Sequence, residues 1–204
     1  VNQLSKANQP SIVLASASAR RKELLAGLGL TFTVQPSVAS EVVEERVAPE
    51  EFVTILAQRK ARDVAFSLAD NEDEAYLIIG SDTVVVLDGE ILGKPEHEEE
   101  AFRMLSRLAG RTHTVYTGLC VIDTATGREK VGFRATNVTM RELTPDRIRR
   151  YIATGEPMDK AGAYGIQGYG ATLVSHLEGD YFSVVGLPVA LVSDFLEEFG
   201  VKLL

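Results

Sequence analysis

YLIIGSDTVVVLDGEILGK, residues 76–94, decides how the rest of the chain folds. Its apolar start reads as a buried strand, Gly80-Ser81-Asp82 breaks it, and VVVL and EIL then flank Asp88-Gly89, a two-residue hairpin signal. A tight hairpin joins antiparallel strands, so the sheet that holds this segment is not purely parallel.

Towards the N-terminus, SIVLA (11–15) predicts a strand and Ala19 to about Leu28 a helix with Leu24, Leu25 and Leu28 on one face, closed by Gly29. TFTVQPS predicts a short strand, and Pro49 opens a helix that carries Phe52, Val53, Leu56, Lys60 and Val64 and fades near Asp70. NEDE (71–74) reads as a solvated acidic turn with no more than a linking role. Towards the C-terminus, Glu96 to Leu108 predicts a helix, and THTVYTGLCVID and KVGFRATNVTMREL predict strands around a turn at Thr126-Gly127. Thr144-Pro145-Asp146 starts another helix that Gly155 ends, TLVSHLEGDYFSVVG suggests a second hairpin, and Pro188 to Phe199 is an amphipathic helix. The expected fold is α/β: a mixed β-sheet flanked by helices, in two lobes with a cleft between them. Residues 1–10 read as a polar, flexible tail and 11–204 as one domain.

With 45% hydrophobic and 25% charged residues, the 204-residue chain can bury a sizeable core. The first ten residues lack a charged start followed by an apolar run, and no stretch approaches eighteen consecutive apolar residues, which predicts a soluble, cytoplasmic protein with no membrane partner. A net charge of −8 opposes general binding to nucleic acid. Cys120, the lone cysteine, suits the core and excludes a disulfide framework or a thiolate metal site. His97, His113 and His176 are scattered, so any metal is a hard cation held by carboxylates.

LASASARRKELL (14–25) is anomalous in an acidic chain. Ser18 suits the N-cap, which puts Arg20 and Arg21 in the first turn, where the helix dipole disfavours cations by up to about 1 kcal/mol. Hydroxyls of Ser16 and Ser18, first-turn N–H groups and two guanidinium groups together would make a phosphate site. A plain capped helix with surface arginines explains the same residues. The pattern of a P-loop is absent.

Asp82 is a carboxylate inside a segment that otherwise wants burial, so it needs a cation, a metal or several N–H donors, or else it bonds local backbone at a strand end. Lys94, past the hairpin, can return to the same end of the sheet, and Lys60 lies on a mixed apolar and cationic helix face. MDKAGAYGIQGYGA (158–171) joins Lys160, Tyr164 and Gln167 with four glycines, which suits close approach of backbone to a flat or phosphorylated ligand, but the glycine order G-x-x-G-x-G fails the dinucleotide fingerprint. Glu41, Glu178 and Asp180 are further candidates for holding a divalent cation.

Read together, LASASARRKELL, Glu41, LAQRKA, GSDTVVVLDGEILGKP, GRTHTVYTG, GEPMDKAGAYGIQG and EGDYFSVVGLP resemble the Maf family of nucleoside triphosphate pyrophosphatases, from about Ile12 to the C-terminus. Ala19 departs from the family's usual proline and Ser81 from its frequent alanine, both small changes. The resemblance implies a Maf or inosine triphosphatase-like fold with a nucleotide-binding cleft. It also implies hydrolysis of a nucleoside triphosphate between the α and β phosphates with a divalent cation, Mg²⁺ or Mn²⁺. Asp82 then corresponds to the catalytic aspartate and shares the metal with Glu41, while Ser16, Ser18, Arg20, Arg21, Lys60, Lys94 and Lys160 meet the phosphates. The stretch around Gln167 looks like the dTTP/UTP branch, whose specificity positions fall on Arg20, Thr83 and Gln167, with an extension to modified pyrimidine nucleotides. The alternatives are 7-methyl-GTP as substrate, or a nucleotide-binding regulator that acts through a protein partner, since the family is named for an effect on septum formation. Family members are often homodimers.

Overall fold

The computed structural model describes residues 10–44, 46–69 and 74–204, so most of the predicted tail and residues 71–73 of the acidic turn lie outside the described residues. Seven strands form one mixed sheet: β1 (Ser11–Leu14), β2 (Phe32–Val34), β3 (Tyr76–Leu87), β4 (Glu90–Leu92), β5 (Thr112–Asp123), β6 (Glu129–Met140) and β7 (Val174–Glu178). They run in the order β2-β1-β3-β5-β6-β7, with β4 beside β3. β1 is parallel to β2 and to β3, and the remaining pairs are antiparallel. The helices are α1 (Ala19–Gly27), α2 (Pro49–Ser67), α3 (Glu98–Leu108), α4 (Pro145–Ile152), α5 (Tyr181–Val185) and α6 (Val189–Glu198). Among the described residues no helix is long and apolar enough to cross a membrane.

The expected mixed sheet and flanking helices are present, with three local corrections. β3 is unbroken through Gly80-Ser81-Asp82 and pairs with β5 from Leu77 to Val86. What stops there is its other neighbour: β1 ends at Leu14, opposite Ile79, and the antiparallel β4 takes up the edge again only at its last residue, Leu92, opposite Val85. Glycine and two polar residues therefore mark a gap in the sheet beside β3 rather than the end of a strand. The second correction concerns TLVSHLEGDYFSVVG, which is strand β7 followed by α5 and not a hairpin. The Asp180 side chain accepts from the N–H groups of Phe182 and Ser183, and this cap turns the chain into a helix where a second strand was expected. Finally, α3 starts at Glu98, because His97 caps it through Nδ1.

The two lobes are separate apolar clusters along β3. The first half of β3 carries Leu77 and Ile79 against Leu25, Leu191, Val192 and Phe195 on one face, and Ile78 against Ala57, Ala61 and Val64 of α2 on the other. Beyond the gap, Val85 and Leu87 pack with Leu105, Leu108, Ile148 and Tyr164. Cys120 is buried in the α2-facing cluster, as expected for a small core residue.

Two glycines let α2 lie unusually close to the sheet. A Cβ on Gly80 would sit 2.3 Å from the Ala57 carbonyl oxygen, and one on Gly118, which faces Asp82 across the β3–β5 pair, 2.2 Å from that of Val53. Backbone of a helix cannot yield as a flexible side chain can. Gly118→Ala is therefore expected to cost about 3 kcal/mol of stability, read from urea unfolding.

His113, buried in the second cluster's strand β5, holds the Tyr164 hydroxyl at 2.6 Å through Nε2. Among the described residues its Nδ1 has no hydrogen-bond partner, and burial pulls its pKa down to about 4. Between about pH 6.5 and pH 4 the unfolded imidazole binds a proton that the folded one excludes, so stability rises with pH across that window and falls as acid is added. We expect the wild type to lose about 3 kcal/mol from this group over that range, and His113→Phe to lack that part of the pH dependence in parallel urea titrations.

Candidate functional site

The gap beside β3 opens into a cleft of about 800 Å³. Ser16, Ser18, Arg20, Arg21, Glu41, Lys60, Asp82, Thr83, Lys94, Lys160 and Gln167, all singled out from sequence, line it. Its charged lining comprises five cationic side chains and three acidic ones, a local positive excess within a chain of net charge −8. Glu178 and Asp180 are not part of the lining: Glu178 sits on β7 and Asp180 is spent on capping α5.

Strand geometry places the chemistry. Successive side chains of β3 point to opposite faces, so Asp82 and Thr83 reach the two sides of the gap. Asp82, 8% exposed, meets the ammonium of Lys60 at 2.7 Å, and the same Nζ lies 2.6 Å from Glu41 Oε1. The partner that an almost buried carboxylate requires is thus a lysine delivered by α2. Lys60, from the mixed apolar and cationic face of α2, thus bridges two carboxylates. Its hydrogen bond is the main influence holding the Glu41 carboxyl below the usual range, despite partial desolvation.

On the opposite face, Ser18 caps α1 by accepting from the Arg21 N–H, as expected from sequence. The Arg21 guanidinium is fixed at three points: Nε donates to the Gly186 carbonyl at 2.8 Å, one terminal nitrogen to Ser16 Oγ at 3.3 Å, and the other to Thr83 Oγ1 at 3.2 Å. Behind Thr83, the Thr117 hydroxyl donates to the Ser183 carbonyl at 2.7 Å, so Thr117 accepts from Thr83 at 3.0 Å and leaves the Thr83 lone pairs towards Arg21. Burial disfavours the charged guanidinium, and the negative charge of Asp82 offsets part of that effect. Thr83, whose role in base selection was an expectation of the resemblance, also supports Arg21 through its hydroxyl.

The mouth of the cleft is more open. Arg20 reaches Asp159 at 3.4 Å, and Lys160 donates to Asp159 at 2.7 Å and to the Glu156 carbonyl at 2.6 Å. Lys94 is exposed on the connection between β4 and α3, and Gln167 is exposed where the glycine-rich segment passes the rim. Asp159, next to Lys160, has no local sequence signal that sets it apart from a solvated acid. Burial opposes its ionisation, but the hydrogen bond and charge of Lys160, with the charge of Arg20, bring its carboxyl below the usual range. The Gly186 carbonyl was also missed, and a backbone atom leaves no side-chain signal to find.

Glu41 and Asp82 flank one point, the Lys60 ammonium, and offer hard carboxylate oxygens suited to a divalent cation. Among the described residues no group of three or more His, Cys, Asp or Glu side chains is arranged to hold a metal, so these two carboxylates would supply only part of a coordination shell.

Comparison with known proteins finds similar sequences over nearly the whole chain. A dTTP/UTP pyrophosphatase from Moorella thermoacetica is 56% identical over 93% of this chain and 95% of its own length. Proteins of the same description from Desulforamulus reducens and Acetivibrio thermocellus are 49% and 51% identical, over 94% and 95% of this chain and 98% and 97% of theirs. A dITP/XTP pyrophosphatase structure from Mycobacterium abscessus is a remote likeness, at 15% identity and a TM-score of 0.36 over 71% of this chain and 92% of that one. The model of the Maf-like proteins matches residues 11–199, a span that takes in every strand, every helix and the whole cleft, and the chain belongs to the Maf family.

Proposed function

We propose that this protein hydrolyses nucleoside triphosphates, dTTP and UTP foremost, between the α and β phosphates, giving the monophosphate and pyrophosphate. The observation that carries the reading is the Lys60-paired Asp82 on one side of the gap facing an immobilised Arg21 on the other, in a cleft with a positive excess. The names of the relatives support the same substrates.

Arg21 is held by three acceptors, so its remaining N–H groups meet a phosphate oxygen without losing rotamer entropy on binding. Arg20, Lys94 and Lys160, with the Ser16 and Ser18 hydroxyls and the first-turn N–H groups of α1, neutralise the rest of the triphosphate. The charge that accumulates on departing pyrophosphate is met by the same donors. Asp82 takes the proton of the attacking water, and Lys60, which holds its Oδ1, orients the carboxylate for that transfer. Glu41 and Asp82 would hold a divalent cation, Mg²⁺ or Mn²⁺, which would supply electrostatic stabilisation of the phosphoryl oxygens. At the rim, the Gln167 amide donates to a pyrimidine carbonyl and accepts from the ring N–H.

Asp82→Asn keeps the shape and removes the base, and it is expected to lower kcat by roughly 10²- to 10⁴-fold in an assay of pyrophosphate release from dTTP. Orthophosphate as the released product would overturn the proposed bond. A carboxylate at position 167 suits a cationic methylated guanine better than a pyrimidine, so Gln167→Glu should shift the ratio of kcat/KM for dTTP to that for 7-methyl-GTP by about tenfold towards the purine.

A further inference from the structure

Outside the phosphate machinery, one carboxylate gathers two backbone N–H groups and a phenol without capping any α-helix of the fold. Glu156 follows α4 and stands at the start of a segment of short 3-10 turns, 156–173, that forms the rim of the cleft. Its Oε1 accepts from the Tyr151 hydroxyl and from the Gly170 N–H, both at 2.9 Å, and its Oε2 accepts from the Tyr169 N–H at 2.9 Å. The Tyr151 oxygen in turn accepts from the Gly165 N–H at 3.1 Å. One carboxylate and one phenol therefore clamp the backbone on both sides of Gln167. Gly168, between Gln167 and Tyr169, has a φ of +63°, and a Cβ there would meet Glu156 Oε2 at 2.5 Å, so the close approach of carboxylate to loop depends on that glycine.

An amide such as Gln167 presents a donor at one end and an acceptor at the other, and it can rotate to suit thymine or cytosine alike. Discrimination between the two needs the amide held at a fixed place relative to the base. Glu156 is placed to do this without touching a nucleotide. We infer that Glu156, through its clamp on Tyr169 and Gly170 and its bond to Tyr151, is a positioning residue for base selection, setting Gln167 against the pyrimidine edge; the inference rests on the reading of Gln167 given above.

The test compares dTTP with dCTP, which share the triphosphate and sugar and differ on the base edge that Gln167 would read. In Glu156→Gln an NH₂ group replaces one acceptor and confronts a backbone N–H, and Glu156→Ala removes the clamp altogether. Both are expected to lower the dTTP-to-dCTP ratio of kcat/KM by about tenfold, through a higher KM for dTTP, with kcat at saturating dTTP within about threefold of wild type. Tyr151→Phe, which keeps the ring and removes the hydroxyl, should move the ratio in the same direction by less. A simple loss of folded protein lowers turnover of both nucleotides equally, so a variant whose rates fall with the ratio unchanged overturns the inference, as does a variant that leaves both rates as they were. A wild type that treats dTTP and dCTP alike overturns the base reading of Gln167 and the role of Glu156 with it, whereas a selective wild type with unselective variants supports both.

Discussion

The architecture of the cleft depends on a strand with unequal edges. β3 is hydrogen-bonded to β5 along nearly all its length, yet its other edge loses β1 after Ile79 and regains a neighbour only when β4 pairs with Val85. Continuous pairing on one side keeps the backbone straight and rigid. The vacancy on the other side gives access to it, and alternation along the strand sends Asp82 and Thr83 to different faces of the opening. Asp82 and Thr83 thus stand on the centre of the sheet, while Glu41, Lys94 and Gln167 reach the cleft from the segments between elements.

Burying Asp82 in that position makes its surroundings energetically strict. An uncompensated carboxylate would cost several kcal/mol, and Lys60 compensates it only because α2 lies against the sheet over Gly80 and Gly118. The glycines thus belong to the chemistry as much as to the packing. A parallel arrangement serves Arg21, whose three fixed donors rest on a backbone carbonyl and two hydroxyls, one of them held by Thr117 and Ser183 behind it. Each side of the gap carries a charged group whose orientation is already settled by its neighbours.

Most of the fold was legible in local pattern. The apolar runs, the Asp88-Gly89 hairpin, the Ser18 cap and Pro49 at the start of α2 each produced the element expected of them. Two of the three misreadings share a cause: Gly80-Ser81-Asp82 and EGDYFSVVG both contain polar residues whose partners lie far along the chain or in the backbone. In the first, polarity signals a missing neighbour strand; in the second, Asp180 caps a helix by bonding the N–H groups that a strand would have used.

By itself the sequence determined the mixed α/β class and singled out charged and polar side chains that line the cleft, because periodicity, turn chemistry and an arginine pair in an acidic chain are properties of short segments. Only the tertiary structure decided which of them meet. Lys60 finds Asp82 across 22 residues and Arg21 finds the Gly186 carbonyl across 165, separations at which no local pattern carries information. The same holds for the demotion of Glu178 and Asp180, for the Glu156 clamp and for the supporting role of Thr83. A hydrogen bond is set by distances of about 3 Å, and those exist only once sheet and helices have packed.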